Sequence, residues 1–348
     1  MITNMSANSL ENITEECPRS QLSEEASALL SIARRLQHEH YHFTTVTPDT
    51  HALVNARPGN RIARNLRDIF GWNRPFHPRD LPAALVDELL IADALDQLFD
   101  GRLRSRIRFS TIGDLIILHD GFPTTNRDAV FFGPDTYRFV RLLRDALPDV
   151  LAEDSALLEI GAGSGAASLC LKDRFSRLVM TDINPKAVRY AQLNAILAEC
   201  SHTEAVCGNL VGSVTGLFDA IIANPPYLID PSGRLYRDGG GLGIEVAVRM
   251  VEAGLPHLAP GGRLVLYTGA PVIDGEDLLH TMLAPVLQRF GLPYRYEVLD
   301  VDVFGSDLSG PAYAQIERIA VVALLVGADS ATKTKDDDDL CVVLDPPE

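Results

Sequence analysis

Lysine is almost missing from this 348-residue chain: four of its 31 basic residues are Lys, and none of those precedes residue 150. Positive charge in the leading part therefore rests on arginine, whose planar guanidinium suits bidentate contact with anions. Acids outnumber bases 47 to 31, giving a formal net charge of −16. That balance argues against a sequence-independent grip on a nucleic-acid backbone and disfavours nucleic acid as a partner. Cysteine is also scarce, with five dispersed residues and no Cys-x-x-Cys pair, which excludes a disulfide framework and a zinc ribbon. No metal site is expected, and a reducing cytoplasm fits best. Long apolar runs are absent as well; the longest, Ile319 to Val326, has strand length. With no signal-peptide pattern at the N-terminus, a soluble cytoplasmic protein without a membrane partner is expected.

Composition and periodicity divide the chain into four parts. Residues 1–20 are polar and predict a disordered N-terminus, and residues 329–348 form an acidic tail around Asp336 to Asp339. Residues 21–130 read as a helical domain with a short β wing. Ala26, Leu29, Leu30, Ala33 and Leu36 mark one helical face, and Leu85, Leu89, Ala92, Leu95 and Phe99 a second. Leu103–Phe109 and Asp114–His119 predict a hairpin that turns around Thr111, Ile112 and Gly113. From residue 131 to 328 the pattern becomes strand, turn, helix, repeated, which predicts an α/β domain with a doubly wound, Rossmann-like sheet. Seven strands are expected at 156–160, 178–181, 204–207, 218–223, 263–268, 295–300 and 319–326. Helices are expected near 165–172, 185–199 and 244–257.

The first strand of that sheet, Leu157-Leu158-Glu159-Ile160, runs into Gly161-Ala162-Gly163-Ser164-Gly165. Glycine at every second place lets the backbone turn sharply and approach a ligand closely. A dinucleotide fingerprint would space its glycines G-x-G-x-x-G, whereas this turn reads G-x-G-x-G. Asp182 closes the next strand about twenty residues on, where a carboxylate can accept both ribose hydroxyls of a nucleoside, followed by Ile183. Asn209 closes the third strand, and its amide oxygen can accept from an adenine amino group.

Asn224-Pro225-Pro226-Tyr227 follows the apolar strand 218–223 and is the most specific signal in the chain. Methylating an amide or exocyclic amine requires acceptors for its N–H protons, because the nitrogen lone pair is delocalised. Asn224 offers a side-chain carbonyl, the rigid Pro225-Pro226 pair fixes backbone carbonyls, and the Tyr227 ring can pack on a planar group. These residues resemble the HemK/PrmC type of glutamine N5-methyltransferase and the wider class I group sharing Asn-Pro-Pro-Tyr. The likeness runs over about residues 131 to 326. It extends to Arg237-Asp238-Gly239-Gly240-Gly241-Leu242-Gly243 and to Leu258–Leu264. Phe131-Phe132-Gly133-Pro134-Asp135-Thr136 is similar to the segment that covers the donor in that family, which places Thr136 at the donor.

The resemblance implies a seven-stranded methyltransferase sheet, S-adenosylmethionine as cofactor, and methyl transfer to nitrogen with Asn224, Pro225, Pro226 and Tyr227 as the catalytic set. The donor set it implies is Glu159, Gly161, Gly163, Gly165, Asp182, Ile183, Asn209, Asn224 and Thr136. Three positions depart from the family pattern. Gly133 stands where Arg is usual, Asn209 where Asp is usual, and Leu266–Ala270 carries no Glu. The acceptor is expected to be a small metabolite or a protein or peptide side chain, with the acidic charge favouring the former. N-methylation of an RNA or DNA base is the enzyme alternative, and a non-catalytic donor-binding module is the other. The arginines at 57, 61, 64 and 67, those at 102, 104, 106 and 108, and His38-Glu39-His40-Tyr41-His42 read as solvated surface.

Overall fold

The computed structural model describes residues 22–149, 153–212 and 214–327, so the expected disordered N-terminus and acidic tail lie outside the described residues. The leading part begins with α1 (Glu24–His38), capped by the Ser23 hydroxyl, which accepts from the Ala26 N–H. α2 (Pro48–Asn55), α3 (Leu66–Phe70) and α4 (Ala83–Ile91) follow. Two small ribbons complete it: β1 (Leu95–Gln97) with β2 (Leu103–Ser105), and β3 (Ile107–Ile112) with β4 (Leu115–Asp120). The hairpin therefore starts four residues later than its sequence suggests, because Leu103–Ser105 turns back onto β1 and Gly113 with Asp114 forms the tight turn. The second helical face stops at Ile91. Asp93 takes a positive φ of 48° just beyond the helix end, Leu95 enters β1, and Phe99 is fully exposed.

The remainder runs α5 (Pro134–Ala146), β5 (Ala156–Ile160), α6 (Ala166–Leu169), β6 (Arg177–Asp182), α7 (Pro185–Leu197), β7 (Thr203–Cys207) and β8 (Phe218–Ala223). It continues through α8 (Glu245–Gly254), β9 (Leu258–Ile273), β10 (Glu276–Asp277), α9 (Leu278–Phe290), β11 (Tyr294–Val303) and β12 (Arg318–Gly327). All seven expected strands form, in the order β11-β12-β9-β8-β5-β6-β7, with β10 paired only to the end of β9. The five strands from β9 to β7 run parallel, and β12 lies antiparallel between β9 and β11. Both faces are buried, one through Leu157, Leu178, Ile222, Val265 and Val321 and the other through Leu158, Val179, Ile221, Leu264 and Val322, as expected for strands that carry no solvent face. α6 is shorter than expected, and α5 and α9 were not anticipated; Pro285 inside α9 masks its helical period.

The sheet and the leading part are joined by packing as well as by chain. Tyr190, Leu193 and Leu197 of α7 share one buried cluster with Leu29, Ile32 and Leu36 of α1. Asn194, fully buried on α7, accepts from the Leu118 N–H at 2.8 Å and donates to the Leu118 carbonyl at 3.0 Å, as a strand edge would. It also donates to the Ser164 carbonyl, inside the Gly turn, at 2.9 Å.

Candidate active site

The chain winds from β5 outward through β6 to β7, then crosses back to β8 on the other side of β5. In open α/β sheets a ligand crevice forms at the carboxyl ends of the strands where the winding reverses. Ile160 and Ala223 are register partners at that point, so the Gly turn and Asn224 leave the sheet side by side. A cleft of about 1190 Å³ opens there, lined from the sheet side by Glu159, Gly161, Gly163, Asp182, Ile183, Asn209 and Asn224. Thr136 from α5 and Pro225, Pro226 and Tyr227 line it too. Of the sequence-derived residues only Gly165 stands back from the cleft wall: it starts α6 with φ +74°, and a Cβ there would meet Met180 Sδ at 2.7 Å.

One half of the cleft is built around Asp182. One carboxylate oxygen accepts from the Gly163 N–H and the other from the Asn184 N–H, both at 2.8 Å. Burial raises the Asp182 carboxyl above its ordinary range against the pull of those two bonds. Each oxygen keeps a lone pair for a further donor, so the group can still receive two hydroxyls. Gly161 takes φ +73°, and a Cβ there would lie 2.7 Å from Met250 Cε. Ile183 is exposed beside Asp182 and offers an apolar face, while Asn209 sits exposed in the turn after β7. Glu159 points away from the turn and onto α6, accepting from the Ser168 N–H at 3.0 Å and hydroxyl at 2.5 Å. Burial lifts its carboxyl to about 7.

In the other half, the half-buried Asn224 amide makes no hydrogen bond among the described residues. Three glycines allow other backbone to close on the Pro-Pro-Tyr segment. A Cβ at Gly239 would come within 2.7 Å of the Pro226 carbonyl, one at Gly243 within 2.6 Å of the Tyr227 carbonyl, and one at Gly269 within 2.5 Å of the Tyr227 ring. Gly269 thus leaves room for the tyrosine ring. At Gly133 a Cβ would meet the Phe131 ring at 2.5 Å, and that ring stacks on Tyr236.

Asp135, in the first turn of α5, is the residue that sequence reasoning did not single out. The Tyr227 hydroxyl donates to its Oδ2 at 2.7 Å, and the Tyr267 hydroxyl to Oδ1 at 3.1 Å. Arg138 also donates to Oδ1, at 2.9 Å. Burial, reinforced by the Asp135 charge, pushes the Tyr227 hydroxyl well above its ordinary pKa, so it stays a donor. The Tyr227 ring meets Phe304 edge-on, which leaves its hydroxyl turned to α5 rather than to a ligand. An acid at the fourth residue of Phe-Gly-Pro-Asp, one tyrosine just after β8 and another on the neighbouring β9 give no local signal of this meeting.

The far wall of the cleft comes from the leading part through Thr47–Asp49 and Phe122–Thr125, and from β11 and its exit through Asp300, Asp302 and Phe304. Among the described residues, no three His, Cys, Asp or Glu are grouped to hold a metal ion, and no helix is long and apolar enough to cross a membrane.

The sheet order, the Gly turn at the switch point and Asn-Pro-Pro-Tyr beside it are features of the class I S-adenosylmethionine-dependent methyltransferase fold. The family model for the methyltransferase small domain matches residues 126–286. A protein of Methanocaldococcus jannaschii described as a protein N5-glutamine methyltransferase is 39% identical over 167 residues, covering 45% of this chain and 81% of that one. A release factor glutamine methyltransferase of Deinococcus radiodurans is 32% identical over 171 residues, covering 44% of this chain and 60% of that one. Ribosomal RNA small subunit methyltransferase C of Escherichia coli is 28% identical over 135 residues, covering 37% of this chain and 36% of that one. The chain belongs to the HemK-like methyltransferase family. Its match spans about 60% of the length of the D. radiodurans relative.

Proposed function

We propose that this chain methylates a side-chain amide nitrogen of a protein, with S-adenosylmethionine as donor. The observation that carries this reading is the unpartnered Asn224 amide, held at the end of β8 beside the Gly turn at the end of β5. The glutamine methyltransferases among its relatives support the protein acceptor.

The residues present fit the donor. Asp182 has lone pairs free for two ribose hydroxyls, the glycines leave room for close backbone approach, and Ile183 offers an apolar face to a base. Bound there, S-adenosylmethionine supplies an electrophilic methyl group. The protein's share of the work is orientation and charge placement. The Asn224 side-chain carbonyl accepts one N–H of the acceptor amide, and a backbone carbonyl of the Pro-Pro segment accepts the other. Two such bonds fix the nitrogen and draw electron density toward it as positive charge develops. Pro225 and Pro226 hold those carbonyls still, since each ring fixes φ. Gly239 and Gly243 let the following loop brace the segment from behind.

The test is methyl-labelled S-adenosylmethionine with cell extract resolved into protein, RNA and small-molecule fractions, beside an Asn224→Ala control. Label is expected in protein, recovered as N5-methylglutamine on hydrolysis and mass analysis, and lost in the control. Label confined to the small-molecule or RNA fraction would overturn the protein acceptor. Donor binding with no label in any fraction would overturn transfer itself.

A further inference from the structure

The arginine run and the histidine cluster, which read as separate surface features in the sequence, meet at one place in the fold. A second cavity, of about 1000 Å³, lies in the leading part and is lined by Arg35 on α1, His40 and His42 just beyond it, and Arg64 and Arg67 at the start of α3. None of the residues lining the cleft at the Gly turn belongs to it. The chain carries a surplus of acids, yet these guanidiniums are poorly matched. Arg35 and Arg67 form no ion pair among the described residues; Arg64 reaches Asp68 only at 3.9 Å, and its guanidinium donates instead to the Gly59 carbonyl at 2.9 Å and to Asn60 Oδ1 at 3.3 Å. The Arg35 Nε is buried and has no hydrogen-bond partner. Arg67 is steadied by a ring instead, with its guanidinium 6.0 Å from the centre of Phe43.

Glu39 and Asp80 also line this cavity, and neither neutralises an arginine there. Asp80 is engaged elsewhere, accepting from the His77 N–H at 3.0 Å. The lining is rich in donors, and guanidinium recognises planar or tetrahedral oxyanions through paired N–H bonds. We infer that this cavity binds a phosphate group, with Arg35 and Arg67 as its principal donors. The inference is independent of the methyl-transfer reading, because it concerns different residues and a different cavity. The phosphate could belong to a free small molecule or to an RNA strand, and both sources present the same chemistry to the cavity.

Titration calorimetry on the full chain separates them, using inorganic phosphate, pyrophosphate and a short single-stranded RNA at fixed low salt. Saturable binding of at least one probe is expected. It should weaken about tenfold in Arg67→Ala, the loss expected for one charge-assisted contact. Arg67 is exposed, so this variant keeps the fold; Arg35→Gln, which retains the stem on α1, should weaken the same probe. Tighter binding of RNA than of the inorganic anions assigns the phosphate to a strand, and the reverse order assigns it to a free molecule. No binding by any probe, or binding that both variants leave unchanged, overturns the inference. Because the Asn224→Ala protein should bind as the parent does, failure of this site and failure of the proposed reaction are told apart.

Discussion

Replacing Tyr227 with Phe removes one hydroxyl and, with it, the only hydrogen bond to Oδ2 of Asp135 among the described residues. The other carboxylate oxygen keeps its two donors, Tyr267 and Arg138, so the charge is not left bare. A hydrogen bond to a charged group contributes about 1.5–3 kcal/mol. The Asp135 side chain is only 17% exposed, so water replaces the lost donor poorly. A coupling of about 2 kcal/mol is therefore expected between Tyr227→Phe and Asp135→Ala in a double-mutant cycle measured by urea unfolding. At roughly 2–4 °C per kcal/mol for domains of a few hundred residues, Tyr227→Phe alone should lower the melting temperature by about 5 °C. The same variant frees the Asn-Pro-Pro-Tyr segment from α5, so labelled methyl transfer should fall by about tenfold or more, whereas donor affinity, which the proposed function assigns to Asp182, should stay within about threefold. Additivity of the two substitutions within about 0.5 kcal/mol would refute the coupling. Full transfer by Tyr227→Phe would refute its positioning role.

Gly269→Ala should act on the same ring by steric means. Its Cβ would lie 2.5 Å from the Tyr227 ring, so transfer should collapse while calorimetric donor binding survives; equal loss of both would count against this account. Asn194→Ala leaves the buried Leu118 N–H and carbonyl without partners, and unfolding measurements should show a loss of about 3 kcal/mol. For Glu159, burial holds the carboxyl at about 7 in the donor-free fold, against 4.5 for the ordinary group. The folded state thus binds a proton that the unfolded chain gives up. Stability from this group is fullest below pH 4.5, declines as pH rises to about 7, and is level above, over a span of about 3 kcal/mol. Glu159→Gln should remove that decline, and parallel stability curves for the two proteins across pH 4.5–7 would contradict it.

The sheet and its switch point were legible in the sequence because their signals are local. Each strand is a short apolar run bounded by turn residues, and both Gly161-x-Gly-x-Gly and Asn224-Pro-Pro-Tyr sit within a few residues of a strand end. What escaped notice joins residues far apart in the chain. Asp135 and Tyr227 are 92 residues apart, and no period in either segment points to the other. The hairpin was misplaced because Leu103–Ser105 has the alternation of a strand but a partner in β1 rather than β4. Leu95 and Phe99 continued a helical spacing that Asp93 interrupts with its left-handed backbone. The void at Gly269, likewise, makes sense only once the ring that fills it is in place.

Asn194 has a consequence that reaches past stability. With one side chain it fastens β4 of the leading part and the Ser164 carbonyl of the Gly turn to the same helix. Part of the rigidity of the nucleoside turn is thus borrowed from outside the sheet that carries it. Grafting this sheet behind a different leading domain would hand over the motif residues intact and still loosen the loop they form, unless the new partner presents a strand edge where Leu118 now stands.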